Sequence, residues 1–311
     1  CTTYSSNYVS LISMNVLSTG RVAQGVNTVL SEIPIYSMNV PLFNTIAIET
    51  SARCNRQCSF CPVVKGDRPD EDMPMEMIQK AVTELKALKY KGRITPYVYN
   101  EPMRDKRFYN ILNYIKDTLP RVCIMISTNG DYLKTPEHLQ KIFDSGARQV
   151  IINVYSNENR FQTLQKWVDE LEYDQKSSCY TYAKAGEKRC QVLRKFAGAF
   201  DGGFKVQNRS GNIPDYMPPL TEPLKKMCVR PWRFLNINWQ GQAILCCNDY
   251  HGSTNFGNLQ HNTLVEMWNQ IELHEYRKNL QQKNRVGLCH TCDYNGGSYP
   301  HMIHPVDMRK L

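Results

Sequence analysis

Three thiols stand close together at Cys54, Cys58 and Cys61, within the run CNRQCSFCP (54–62). Clustered thiols in a long chain point to metal rather than to a disulfide framework, which suits small secreted domains. An iron–sulfur cubane is held by cysteine thiolates, usually four. Three thiolates leave one iron open, and an open position binds a substrate or cofactor as the vacant site of a catalytic zinc does. A zinc ion completed by a distant His or Cys uses the same ligand types and stands as the alternative. A second set follows at Cys228, Cys246, Cys289 and Cys292, with twelve residues between Cys228 and Gly241 and four between Gly241 and Cys246. Four thiolates would complete one cubane and leave no open iron. A four-cysteine structural zinc site shares this logic.

The elements that must position these thiols follow from periodicity. TIAIE (45–49) reads as a strand leading into the first cysteines. PMEMIQKAVTELKALK (74–89) has helical spacing, with Met77, Ala81, Leu85 and Leu88 on one stripe. Strands are expected at 93–99, 122–128, 148–155 and 204–208, and helices at 105–119, 136–145 and 159–173. Residues 174–203 carry no clear signal. Strands alternating with helices imply a parallel sheet of five or six strands, with ligands at the carboxyl ends. The first cysteines, then NEP, TNG, YSNEN and NRSGN, each follow one strand, so every polar motif falls on one rim. The proline-rich run IPDYMPPLTEPL (213–224) marks a boundary. Beyond it, FLNINWQGQAIL reads as a hairpin that brings Cys228 near Cys246, and a helix over 263–280 delivers Cys289 and Cys292.

The bulk numbers are those of a globular chain: 311 residues, 41% hydrophobic, net charge +9. No segment approaches the ~20 apolar residues of a membrane helix. The opening stretch lacks a charged n-region, so no secretory signal is expected and the location is read as cytoplasmic. The positive charge lies in no dense run, and the 18 tyrosines are scattered, so nucleic acid is not an expected partner. A zinc-stabilised RNA-binding protein is the remote non-enzyme alternative.

With Cys54, Cys58, Phe60 and Cys61 in the pattern C-x3-C-x-aromatic-C, the chain resembles the radical S-adenosylmethionine (SAM) superfamily. The resemblance implies a partial (β/α)5–6 TIM-like barrel over 44–224, after an N-terminal segment 1–43. In that family the open iron chelates the amino and carboxylate groups of SAM. Reductive cleavage of SAM gives a 5′-deoxyadenosyl radical that abstracts a substrate hydrogen. An external donor such as flavodoxin or ferredoxin supplies the electron. Tyr99-Asn100-Glu101-Pro102 stands where the family has Gly-Gly-Glu-Pro, which implies that Glu101 accepts from the SAM amino group. Ser127, Thr128 and Asn129, then Asn153 and Ser156, resemble the polar ends of the third and fourth strands that reach SAM. Asn208–Asn212 resembles the fifth-strand ending, with Arg209 as a ligand for a carboxylate or substrate hydroxyl.

Residues 225–311 resemble the twitch domain, a shortened SPASM domain of hairpin and helix with one auxiliary [4Fe–4S] cluster. FGNL (256–259) and EMWN (266–269) match its linker. Of the other cysteines, Cys123 reads as core, Cys179 and Cys190 as incidental, and Cys1 has no assigned role. Cys247 is a bystander, an alternative ligand or a hydrogen-atom donor. The implied reaction is oxidation of a small natural-product or carbohydrate-like substrate, with the auxiliary cluster accepting an electron. A radical epimerase and a maturase of a ribosomal peptide are the alternatives.

Overall fold

The structure, a computed structural model, describes residues 40–175, 183, 186–195 and 206–296. The chain divides into two units, Cys1–Val40 and Pro41–Leu311, and every element described belongs to the second. Seven strands form one sheet: β1 Thr45–Ile48, β2 Arg93–Thr95, β3 Cys123–Thr128, β4 Ala147–Val154, β5 Arg189–Arg194, β6 Phe234–Ile237 and β7 Ala243–Ile244. Their order is β5-β4-β3-β2-β1-β6-β7. All neighbours are parallel except the β6–β7 hairpin.

Strands β1 to β5 follow one another across the sheet in chain order. Helix α1 (Met75–Ala87) connects β1 to β2, and α2 (Phe108–Thr118) connects β2 to β3. Helices α3 (Pro136–Asp144) and α4 (Glu158–Glu170) continue the series. Right-handed crossovers in a series that never reverses put every helix on the same face. A sheet so covered curls around its other face, which is the partial barrel expected.

The helices form where apolar residues recur at helical spacing. Helix α1 buries Met77, Ile78, Ala81, Val82 and Leu85, while Leu88 lies past its end and is 36% exposed. Asn157 starts α4 by accepting from Arg160 N, a cap worth about 1 kcal/mol. β2 is three residues long rather than the seven expected. Pro96 follows it, and proline cannot donate to a ladder.

Two elements differ from the sequence reading. The fifth strand is Arg189–Arg194, not 204–208: residues 206–208 have no strand structure, and 204–205 lie outside the described residues. Its apolar signal is short because only Cys190 and Val192 are buried, on an edge strand with charged ends. Cys190 is therefore a strand residue packed at 0% exposure, while Cys179 and Cys1 lie outside the described residues. The helix expected over 263–280 is two, α5 (Leu264–Trp268) and α6 (Ile271–Gln281), broken where Gln270 takes φ −59 and ψ 139. Arg277 holds the break. It donates to Trp268 O and Pro231 O, both at 2.9 Å, with its guanidinium 4.1 Å from the Trp268 ring.

The hairpin assigned to residues beyond the prolines adds its first strand to the barrel sheet. Thr45, Ile46, Ala47 and Ile48 pair with Phe234, Leu235, Asn236 and Ile237. Gly241 at the hairpin turn has φ +82, and a Cβ there would sit 2.8 Å from Met77 Sδ. Both the turn and the packing on α1 require the glycine.

Candidate functional site

The cysteine loop leaves β1 and is tied down at both sides. Ala52 N donates to Glu71 O and Met73 N to Thr50 O, each at 2.9 Å. Arg53 pairs with Asp70 and Asp72. Arg104 Nη1 donates to Cys54 O at 3.2 Å. Inside the loop, Arg56 forms a two-pronged ion pair with Asp131 at 2.7 and 2.5 Å, and Asn55 Nδ2 donates to the same carboxylate at 2.7 Å. This latch fixes the segment between Cys54 and Cys58 to the turn after β3. Burial raises Asp131, but the hydrogen bonds and charge of Arg56 outweigh it and hold the carboxyl below its ordinary range.

Cys54, Cys58 and Cys61 border a cavity of about 320 Å³ at the carboxyl ends of the strands. Burial pushes all three thiols up, Cys58 to about 11. None of the described cysteines is in a disulfide. Among the described residues no three His, Cys, Asp or Glu converge closely enough to hold a single ion. A zinc ion needs its thiolates at about 2.3 Å from one point, whereas a cubane takes each thiolate on a separate iron. The donor set fits the cubane.

Glu101 is 3% exposed at the floor of this cavity. Its carboxylate accepts from Thr128 Oγ1 at 2.7 Å, Asn129 N at 2.7 Å and Met103 N at 3.2 Å. Burial raises its carboxyl to about 7 in spite of these donors. Gly130, at φ +75, turns the chain just after the Thr128 and Asn129 donors. Asn153 donates to Ser127 Oγ at 2.8 Å, and its buried Oδ1 has no protein partner, so it is open to a ligand. Phe60 stacks on Tyr155 with ring centroids 5.4 Å apart.

Asn100, Ser127, Asn129, Arg209 and Cys247 also border the cavity. Thr128 stands behind the wall and acts on Glu101. Ser156 is exposed and outside the lining; Tyr155 takes the place on the wall. Arg209 arrives from a turn rather than from a strand end. Arg209 and Ser210 have φ +51 and +57, the left-handed region that non-glycine residues avoid. Asn208, fully buried, holds that turn by donating to Pro218 O and Thr291 O, and Asn212 donates to Arg209 O and Asn248 O.

The second cysteine set is buried: Cys228, Cys246, Cys289 and Cys292 are between 7% and 9% exposed. Asn248 N donates to Cys246 Sγ and Asn248 Nδ2 to Cys292 Sγ, both at 3.4 Å, and Tyr294 N to Cys292 Sγ at 3.5 Å. Such N–H to sulfur bonds suit thiolates and set cluster potentials. Arg285 joins the segments, donating to Lys226 O at 2.9 Å and Cys292 O at 3.4 Å. Burial raises Cys228, Cys246 and Cys289, the last to about 12. A second cavity of about 210 Å³ lies beside Cys246 and shares Tyr97, Val98 and Cys247 with the first.

The family model of the radical SAM superfamily matches residues 48–201, and the iron-sulfur cluster-binding SPASM domain matches residues 228–293. The chain belongs to the radical SAM superfamily. Radical SAM enzymes use SAM with a [4Fe–4S] cluster, and the SPASM region brings an auxiliary iron–sulfur cluster. Cys54, Cys58 and Cys61 would hold the first and Cys228, Cys246, Cys289 and Cys292 the second.

A similar protein is the S-adenosyl-L-methionine-dependent 2-deoxy-scyllo-inosamine dehydrogenase of Niallia circulans. It is 24% identical over 256 residues, which span 81% of this chain and 93% of that protein. The fold is similar to the crystal structure of BtrN in complex with AdoMet and 2-DOIA, at TM-score 0.64 and 22% identity over 81% of this chain and 93% of that one. Selenomethionine BtrN in an open conformation gives 0.58 and 20% over 81% and 92%. Among the described residues no helix is long and apolar enough to cross a membrane.

Four residues around this radical SAM site are not among those the sequence singled out. Lys195, one residue past β5, borders the first cavity, and the strand that delivers it was itself hidden. Arg230 borders the second cavity next to Cys246 and Cys247. Glu49 and Arg68 form a buried pair behind Tyr99. Glu49 ends TIAIE, and an acid closing an apolar strand was the one available hint.

Proposed function

We infer that the protein is a radical SAM dehydrogenase that oxidises an alcohol carbon of a small carbohydrate-like substrate. The observation that carries this reading is the pair of adjoining cavities. One is bordered by the three-thiol set and Glu101, the other by Cys246 of the four-thiol set, and they share Tyr97, Val98 and Cys247. A substrate spanning that shared wall faces both thiol sets. When bound, SAM and the two clusters supply a 5′-deoxyadenosyl radical for hydrogen abstraction and an acceptor for the electron left behind. The likeness to a dehydrogenase across 93% of its length supports the same assignment.

The chain's own residues orient and enclose. Glu101 offers a carboxylate to the SAM amino group, and Asn153 Oδ1 a free acceptor. Phe60 and Tyr155 wall the cavity with stacked rings and Arg56 over the Tyr155 face. The Asn208–Asn212 turn fixes Arg209 at the boundary and is bonded to the auxiliary segment through Thr291, Asp293 and Asn248. An electron donor of the flavodoxin or ferredoxin type supplies the reducing electron.

The test is product analysis with substrate deuterated at the alcohol carbon. A dehydrogenase gives a carbonyl and moves deuterium into 5′-deoxyadenosine. Replacing Cys289 and Cys292 by Ala should stop carbonyl formation while leaving some 5′-deoxyadenosine. Undiminished carbonyl from that variant would remove the acceptor role. One observation favours radical epimerisation as a second reading: Cys247, a thiol, borders both cavities. Epimerisation in D2O puts deuterium in the product and makes no carbonyl.

A further inference from the structure

We propose that the cavity beside the auxiliary thiols receives an anionic group, a carboxylate or a phosphate, and so selects an acidic substrate over an amine-bearing one. This rests on the reading of the adjoining cavities as one substrate site. The cavity lies inside the barrel between β1, β2 and β6 on one side and the segment around Arg230 on the other. Its charged residues are Arg93 and Arg230; no Asp or Glu borders it. In the adjoining cavity Glu101 is the sole acid, and it is the group that faces the SAM amino group in the reading above.

The hydrogen-bonding inventory has the same sign. Asn236 lies on β6 opposite Ala47 of β1, is 3% exposed and borders the cavity. Its Nδ2 has no partner in the protein. A buried amide nitrogen without an acceptor costs free energy until a ligand supplies one. Arg93, two residues before Thr95 on β2, is held at 1% exposure with Nη2 donating to Gln149 Oε1 at 3.3 Å. Arg230 lies over the Tyr294 ring, 3.7 Å from its centroid, and donates to Gln207 Oε1 at a long 3.4 Å. Among the described residues no carboxylate pairs with it.

The Arg230 guanidinium stays charged, because a guanidinium is not deprotonated in a protein. Thiolates on an auxiliary cluster offset part of that charge. They do not use up five N–H donors set in a planar fork that matches a carboxylate or phosphate. Two guanidiniums and an unpartnered amide N–H form a donor-rich, acceptor-poor chamber. An ammonium placed there meets like charge and no acceptor carboxylate. A preference for an anion would set this chain apart from the relative named for 2-deoxy-scyllo-inosamine.

The test reads binding, not turnover. Full-length protein with both clusters reconstituted under anaerobic conditions, and with SAM present, is titrated calorimetrically with glucuronate, glucose 6-phosphate, glucose and glucosamine. These probes share one ring and differ in the charge of one substituent. At least one of the two anions should bind tenfold or more tighter than glucose, and glucosamine more weakly than glucose. The stronger of the two anions identifies carboxylate or phosphate. Arg230→Gln should abolish the preference. Asn236→Ala should reduce it severalfold with full iron content, and it carries the test if Arg230→Gln loses the auxiliary cluster. Equal binding of all four probes, no measurable binding by either anion, or tightest binding by glucosamine overturns the proposal. A carbonyl product from a neutral substrate would still support the dehydrogenase reading, so the two fail separately.

Discussion

Arg68→Met tests whether the buried pair behind Tyr99 holds the site together. Glu49 is fully buried at the end of β1. Its carboxylate accepts from Arg68 Nη1 at 2.6 Å, Tyr99 N at 2.8 Å and Trp239 N at 3.3 Å. Arg68 in turn lies between the Tyr99 and Tyr250 rings, 5.2 and 4.4 Å from their centroids, and donates to Tyr250 O at 3.3 Å. Five chain segments thus meet on one ion pair: the ends of β1 and β6, the stretch after β2, the stretch after the cysteine loop and the stretch after β7. Methionine keeps the length and apolar stem but strands the carboxylate. Removing one partner of a buried pair costs about 3–5 kcal/mol. The two backbone donors that stay on Glu49 argue for the lower end, about 3 kcal/mol. At roughly 2–4 °C per kcal/mol for a domain of this size, the melting temperature should fall by about 6–12 °C. In a double-mutant cycle with Glu49→Gln, the double variant should be less damaged than the sum of the two singles. Thermal melts of the reconstituted protein, normalised to iron content, measure all four. A melting temperature for Arg68→Met within about 1 °C of wild type, or strict additivity in the cycle, refutes the reasoning.

Further predictions concern the ligands themselves. The Glu101 carboxyl is raised by burial from its usual 4.5 to about 7. The unfolded chain therefore holds fewer protons between those values, and the SAM-free protein loses stability as pH rises through that window. The loss is about 3 kcal/mol at 1.36 kcal/mol per pKa unit. Glu101→Gln should flatten this pH profile and weaken SAM binding at pH 8 at least tenfold; parallel profiles for the two proteins in denaturant titrations would contradict it. Replacing Cys54, Cys58 and Cys61 by Ala should lower iron from about eight to about four per chain and end 5′-deoxyadenosine formation; iron assay and chromatography decide. Asp131→Ala releases Arg56 and Asn55 from the cysteine loop and should cost about 1–2 kcal/mol, with slower cluster loading; unchanged reconstitution kinetics would show the latch to be dispensable.

The parallel sheet was legible because β1, β3 and β4 are apolar runs with helical patterns between them, and each ends in a short polar motif; its curling into a partial barrel was implied by the family resemblance. The seven cysteines stand out in the sequence by their spacing, and the structure puts three of them on the border of one cavity and buries the other four. β5 was not legible, because an edge strand with charged ends and two buried residues has too short a pattern to read. The break at Gln270 was hidden for another reason. It is stabilised from a distance by Arg277, whose hydrogen bonds to Trp268 O and Pro231 O leave no local trace. Arg209 was legible as a residue, but its position depends on Asn208 and Asn212 reaching Thr291 and Asn248 far along the chain. Glu49, Arg68, Arg230 and Lys195 are fixed by tertiary neighbours, and residue type alone gives no reason to single them out.

The four-residue ladder between β1 and β6 has a consequence for motion. β1 runs directly into the first thiol set, and β6 sits between Cys228 and Cys246 of the second. A hinge that swung the auxiliary region aside would have to unzip this parallel pairing inside the sheet. The sheet itself therefore sets the distance between the loop that carries the first thiol set and the hairpin that leads from Cys228 to Cys246.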